Sequence, residues 1–290
     1  MTSEYISPMP LTRIAPTPSG YLHAGNAINF LITAEVAREA GAAIRLRIDD
    51  LDAERMRPAY VDDIFASLRW LGIRWSEGPR DRMEHERMHS QMLRLARYEE
   101  CLHVLKEQGD LYACICSRAD QKRSGCDCRK RELPLTSPNA SWRLRIPSDA
   151  VVRMESIHGG PQWLSPARLI NEPVLRQRAE LGGRPSYQIA SLCDDADHGI
   201  THIVRGEDLL ASTACQLHLA ERLGLEVFQR VRFLHHPLIA DSTGAKLSKS
   251  EGAASLKAMR EGGQSPDALR DQAMLLLDSL RTGTAQSSVP

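Results

Sequence analysis

No apolar run in the chain approaches the roughly 20 residues needed to span a bilayer, so no membrane-spanning helix is expected. The opening residues, MTSEYISPMPLTR, lack a basic start followed by an apolar block. A secretory leader is therefore not expected, and a cytoplasmic location is the default. Excess charge of either sign is also missing, since 37 Lys and Arg face 37 Asp and Glu. That excludes a basic field over the whole molecule, and any nucleic-acid surface must be local. No internal repeat is visible, and no long amphipathic surplus asks for a second copy, so a monomer is expected. The remaining composition is that of an ordinary globular protein: 290 residues, 42% hydrophobic and 26% charged, enough for one large domain or two to three smaller ones.

Cysteine is unevenly placed. Four of the seven fall between positions 114 and 128, in YACICSRADQKRSGCDCRKR. Cys114, Cys116, Cys126 and Cys128 form a C-x-C, nine residues, then a second C-x-C. In a reducing compartment two such pairs point to a metal before a disulfide. Four thiolates suit a tetrahedral zinc site, and with all positions filled none stays open for water, so the expected zinc is structural. Residues 118–131 also carry six basic and two acidic side chains. This patch suits RNA phosphates or simple solvation equally well. Cys101, Cys193 and Cys215 sit in apolar segments and read as buried free thiols.

Periodicity organises the rest. LTRIAPTPSG reads as a strand entering a Pro/Gly turn, and NAINFLITAEVAREAG as a helix stopped by Gly41, with Asn26 as its N-cap. AAIRLRIDD reads as a second strand, and helical patterns follow at 57–71 and 84–108. SWRLRIP and PVLRQRAELGGRPSYQIA read as strands, the latter a hairpin around Gly182-Gly183. Then come GITHIVRG as strand, EDLLASTACQLHLAERLG as helix, VRFLHHPLI as strand and PDALRDQAMLLLDSLR as helix. Strands alternating with helices predict an α/β fold, a parallel sheet with crossover helices and ligands beyond the carboxyl ends of its strands. The expected division is 1–105 and 187–260 as halves of one catalytic-type domain, 106–186 as a cysteine-bearing insertion, and 261–290 as a helix with a loose tail.

Two distant segments stand out. In TRIAPTPSGYLHAGN, His23 and Gly25 lie in a strand-to-helix turn, where helix-start amides favour an anion. In GAKLSKS, Lys246, Ser248, Lys249 and Ser250 cluster beside a glycine, a composition able to grip a polyphosphate. Taken alone, either is an ordinary solvated turn or loop. Together HAGN and KLSKS resemble the two nucleotide-binding motifs of class I aminoacyl-tRNA synthetases. TRIAPTPSGYLHAGNA, LRIDDLD, LRWLGIRWSEGP, PSYQIAS and HIVRGEDLLAST are similar, in colinear order, to the catalytic domain of glutamyl-tRNA synthetases.

The resemblance implies a Rossmann-like class I synthetase fold, doubly wound, with the zinc insertion of the kind that grips a tRNA acceptor end. It implies ATP, with Mg²⁺, held by His23, Gly25, Gly206, Glu207, Lys246 and Lys249, and a catalytic set of His23, Gly25, Asn26, Lys246, Ser248 and Lys249. It implies L-glutamate held by Arg13, Ala15, Thr17, Asp49, Tyr187 and Arg205, with the two arginines on the side-chain carboxylate. From the residues alone, Arg13 and Arg205 read instead as structural ion pairs with Asp49, Asp50 or Asp52. One position departs from the family: RIDD places Asp49 where glutamate is usual, a carboxylate shorter by one methylene. His235 and His236 precede the lysine loop and receive no catalytic role. After Ser250 only 40 residues follow, which leaves no room for an anticodon-reading domain and resembles the shortened glutamyl-queuosine tRNA(Asp) branch. A ligase activating an acidic amino acid for another acceptor or for the tRNA 3′ end, as in a charging enzyme with a separate anticodon subunit, and a silent RNA-binding paralogue, stay open as alternatives.

Overall fold

The computed structural model describes residues 9–170, 172–239 and 255–283. Its first half runs β1 (Leu11–Ile14), α1 (Ala24–Ala40), β2 (Ala43–Leu46), α2 (Pro58–Trp70), α3 (Arg82–Glu84), α4 (Leu95–Glu107), β3 (Leu111–Cys114) and α5 (Arg118–Ser124). The chain continues through β4 (Ser141–Leu144), β5 (Val152–Ser156), β6 (Gln162–Leu164), α6 (Pro166–Leu169) and β7 (Val174–Arg176). It closes with α7 (Tyr187–Asp197), β8 (His202–Gly206), α8 (Leu210–Leu223), α9 (Glu226–Gln229), β9 (Arg232–His236), α10 (Leu256–Glu261) and α11 (Asp267–Thr282).

The main sheet has six strands in the order β2-β1-β8-β9-β5-β6. All neighbours are parallel except the last pair, β5 and β6. Side chains alternate across it. Ile203 and Phe233 join a core with Leu102, Ile189 and Leu217 of α4, α7 and α8. Val204 and Leu234, one residue on, join a second core with Ile32, Ile64 and Leu277 of α1, α2 and α11. The period of two along a strand thus builds a sheet with helices on both faces. The expected doubly wound α/β fold is the observed one. Among the described residues, no helix is long and apolar enough to cross a membrane.

Three local expectations change. The segment 84–108 is not one helix, because a π turn at His85–His89 and a 3₁₀ turn at Gln91–Arg94 precede α4. Those turns wrap the carboxylate of Asp50. His85 Nε2 lies 3.0 Å from it, Ser90 Oγ donates at 2.6 Å and the Gln91 amide at 2.8 Å. Second, the expected hairpin around Gly182-Gly183 shrinks to a single antiparallel bridge between Arg176 and Pro185. From Tyr187 onward the chain is helical, with Gln188 to Asp195 all buried. Third, the stretch 106–186 is shared between two sheets. β3, β4 and β7 form a separate antiparallel sheet beside the cysteines, whereas β5 and β6 extend the main sheet through β9.

Candidate active site

The main sheet reverses its winding between β1 and β8, since β1 passes through α1 to β2 on one side and pairs with β8 on the other. Such a switch point opens a crevice beyond the strand ends. A cavity of about 420 Å³ lies there. Ala15 and Thr17 after β1, His23, Gly25 and Asn26 at the start of α1, and Arg205 and Gly206 of β8 all line it. These residues are about 180 apart in sequence and meet as expected.

His23 caps α1 in extended backbone, and Asn26 Oδ1 accepts from its amide at 3.1 Å. Asn26 is therefore the third helical residue and not the cap, because one closing bond already runs from its amide to the His23 carbonyl at 2.9 Å. Gly206 has a reason to be glycine: a Cβ there would stand 2.6 Å from Asp208 Oδ1. His236 also lines the cavity and faces Asn29 Oδ1 at 3.0 Å, while His235 turns away to Thr213. Glu207 lines a smaller neighbouring cavity with His158 and Phe233. Lys246, Ser248, Lys249 and Ser250 lie outside the described residues. The described ends of that segment flank the cavity: Ile239 lines it, and the amide of Leu256 bonds the carbonyl of Leu22 at 2.8 Å.

A second cavity of about 330 Å³ adjoins the first at Thr17 and is lined by Asp49, Gln91 and Tyr187. Asp49 is 7% exposed and clasped by Arg47, Nε to Oδ1 at 2.6 Å and Nη2 to Oδ2 at 3.3 Å. Burial pushes the Asp49 carboxyl up, and Arg47 pulls it back only in part. Arg47 also grips Asp195 at 2.6 Å. Burial opposes the Arg47 charge, but Asp195, Asp49 and Asp194 outweigh it and hold the guanidinium firmly protonated.

The expected ion pairs of Arg13 and Arg205 with Asp49, Asp50 or Asp52 are absent among the described residues. Leu11 and Arg13 share one face of β1, the face covered by α7, so Arg13 reaches Asp195, Nε to Oδ1 at 3.3 Å. Burial disfavours the Asp195 charge, yet Arg47 and Arg13 hold its carboxyl below the usual range. Arg205 is 2% exposed and meets no carboxylate among the described residues. Its Nη1 donates to Gln216 Oε1 at 2.9 Å and to Thr213 Oγ1 at 3.2 Å, and its guanidinium lies 5.6 Å over the Phe233 ring. Nε and Nη2 are buried with no hydrogen-bond partner among the described residues. Burial lowers its pKa, so the charge is held at a cost. Sequence reading missed Arg47, Asp194, Asp195, Gln91 and Gln216. The available signal was the acidic triplet DDAD set inside the otherwise apolar SLC…HGI stretch.

The four cysteines of the 114–128 segment converge. Their sulfurs lie within 4.8 Å of one another, with Cys114–Cys126 at 3.7 Å and Cys116–Cys128 at 3.5 Å. A tetrahedron of zinc–sulfur bonds of about 2.3 Å has edges of about 3.8 Å, so the donor set fits a metal ion of that kind. Cys114 ends β3, and the Arg178 side chain, two residues past β7, donates to the Cys116 carbonyl at 3.1 Å, so the first cysteine pair is anchored at the small sheet. The local charge is partly spent: Arg129 pairs with Glu172 and Arg123 with Asp120. Cys101, Cys193 and Cys215 are buried free thiols, as expected, and the first two face each other at 3.1 Å.

Comparison with known proteins narrows the identity. Residues 11–281 match the family model described as tRNA synthetases class I (E and Q), catalytic domain. A glutamyl-Q tRNA(Asp) synthetase from Symbiobacterium thermophilum is 36% identical over 277 residues, covering 88% of this chain and 82% of that protein. A glutamate–tRNA ligase 2 from Ruegeria sp. is 34% identical over 90% of this chain, which spans only 59% of that relative. Among solved structures, the glutamate–tRNA synthetase of Elizabethkingia anophelis superposes with a TM-score of 0.66 at 23% identity, over 88% of this chain and 54% of that one. On the family match and the curated relatives, with the solved structure supporting the fold, the chain belongs to the class I tRNA synthetases for Glu and Gln, through their catalytic domain.

Proposed function

We propose that the chain activates L-glutamate with ATP as glutamyl adenylate and transfers the glutamyl group to the queuosine base in the anticodon loop of tRNA(Asp). The observation that carries the first half is Arg205, a buried guanidinium with two unpartnered nitrogen atoms beside the switch-point cavity. A planar fork of N–H donors in such a place suits a carboxylate. The second half is supported by similarity: a glutamyl-Q tRNA(Asp) synthetase is 36% identical over 88% of this chain.

In this reading the glutamate α-carboxylate attacks the α-phosphate of ATP and pyrophosphate leaves. Charge developing on the pyrophosphate meets the amides at the start of α1 and His23, and by family resemblance Lys246 and Lys249 serve the same charge. Mg²⁺ accompanies ATP by the same resemblance. Ala15, Thr17 and Tyr187 border the amino acid. Asp49 serves the substrate ammonium despite its shorter side chain. A carboxylate offers about four acceptor sites; Arg47 takes two and Gln91, at 3.4 Å, a third. One remains for the ammonium. Zinc held by Cys114, Cys116, Cys126 and Cys128 has no open position and serves structure.

ATP–pyrophosphate exchange without RNA tests the first step, with glutamate expected to drive exchange and glutamine not. Labelled glutamate should then appear on queuosine-containing tRNA(Asp) and stay off queuosine-free tRNA(Asp). Nuclease digestion should place the label in the anticodon-loop fragment. Label on the 3′-terminal adenosine would overturn the acceptor assignment, and absence of exchange with any amino acid would overturn the enzyme.

A further inference from the structure

Among the described residues three arginines are deeply buried: Arg13, Arg47 and Arg205. Two of them meet carboxylates, Arg47 at Asp49 and Asp195 and Arg13 at Asp195. The third is held by neutral groups alone. Gln216, fully buried on α8, supplies the shortest contact to it at 2.9 Å. Thr213, one helical turn earlier, supplies the other at 3.2 Å. Behind Thr213 stands His235, 2.9 Å away, whose pKa is pushed down to about 3 by burial, Arg205 and His236, so it adds no charge.

A glutamate would occupy the volume of Gln216 and give Arg205 a charged partner. For the fold alone that would be the more stable choice, because an unpaired buried charge is costly. The amide does something different. It fixes the guanidinium through one neutral acceptor and adds no charge of its own, so Asp195 acts on Arg205 only from beyond ion-pair distance and burial outweighs that attraction. Its own Nε2 is buried without a partner among the described residues, so a second N–H donor stays unspent there beside the two spare nitrogen atoms of Arg205.

We propose that Gln216 is a specificity-determining positioning residue, which orients Arg205 without neutralising it and so reserves the guanidinium for the side-chain carboxylate of the amino-acid substrate. The inference rests on the reading that Arg205 receives that carboxylate. Stability is lost at this point of the core so that the charge is discharged only when substrate arrives.

The test uses the full chain in pyrophosphate exchange, with KM for glutamate and for ATP, the glutamate-to-glutamine preference, and the melting temperature. Gln216→Glu is expected to raise KM for glutamate about 10- to 100-fold, the worth of a charge-assisted hydrogen bond. KM for ATP stays within about twofold of the parent. The glutamate-to-glutamine preference falls, and the melting temperature rises by about 2 °C or more. Opposite movement of stability and glutamate affinity is something a merely structural residue does not produce. Gln216→Met, close in volume and uncharged, removes the tether but not the charge. It should raise KM for glutamate less and keep the preference. Unchanged glutamate KM in Gln216→Glu overturns the proposal. If that variant does not fold, a parental KM in Gln216→Met overturns it. Arg205→Met separates the two levels of argument. If it leaves glutamate KM unchanged, the carboxylate reading itself fails. If it raises KM while Gln216→Glu does not, only the role of Gln216 fails.

Discussion

Asp195 offers the strongest test of how the site is held. Its carboxylate is fully buried and serves two guanidiniums, Arg47 at 2.6 Å and Arg13 at 3.3 Å. Asp195→Asn keeps the volume and removes the charge. Arg47 retains Asp49, but Arg13 loses its ion pair. Removing one partner of a buried pair costs about 3–5 kcal/mol, because the other charge is left uncompensated. Against a typical total of about 5–15 kcal/mol, that is a large fraction. Urea unfolding should show the loss as a lower midpoint with an unchanged slope. The pH dependence follows from the same group. Its folded-state pKa is depressed, so its stabilisation is present above the unfolded value of about 3.9 and is lost as pH falls through the lower folded value. The parent should therefore lose stability below about pH 4, and Asp195→Asn should lose less over that range. A cost below about 1 kcal/mol would refute the reasoning, since it would mean that water or other groups already neutralise Arg13 and Arg47. Arg13→Met combined with Asp195→Asn should cost less than the sum of the single changes.

Three further outcomes are expected. Gly78→Ala should destabilise by about 2–5 kcal/mol, because Gly78 sits at φ +89° and an added Cβ would stand 2.0 Å from the Leu46 carbonyl oxygen; thermal unfolding within 1 °C of the parent would contradict that close approach. Gly206→Ala should fold normally, since the clash is with the movable end of Asp208, but should raise KM for ATP in the exchange assay as Asp208 shifts at the cavity wall. Elemental analysis of fresh protein should find one zinc per chain, and free zinc at one hundred times its Kd should stabilise the metal-stripped protein by about 2.7 kcal/mol, whereas Cys128→Ser should abolish the effect; clearly substoichiometric zinc would end the four-thiolate proposal.

Part of this architecture is legible in the sequence because its causes are local. The helix after β1 announces itself by spacing and by Gly41, which closes it in left-handed conformation at φ +59°. The cysteine pairs announce their cluster by spacing alone. Helix α7 is illegible for a physical reason. All of Gln188 to Asp195 is buried, including Gln188, Ser191, Asp194 and Asp195, so no polar face exists to reveal the period. The break before α4 is illegible because its cause, Asp50, lies 35 to 41 residues earlier. The division of 106–186 between two sheets depends on β5 meeting β9, a pairing of Glu155 with Arg232 that no local pattern encodes.

The buried charges of the site form a graded series. Arg47 is saturated, facing Asp49 and Asp195 directly and Asp194 at 3.9 Å. Arg13 is half committed, sharing Asp195 with Arg47. Arg205 has no carboxylate among the described residues and is held by an amide, a hydroxyl and a ring. Charge compensation thus declines from β2 through β1 to β8, toward the place where an acidic side chain is proposed to bind. The short reach of Asp49 fits this order. At aspartate length the carboxylate is drawn onto Arg47 and keeps one acceptor site toward the cavity that Tyr187 and Thr17 also line. Through Arg47, Asp49 and Asp195 belong to one continuous ion network, which joins the proposed ammonium side of the pocket to Arg13, with Asp195 as the shared member.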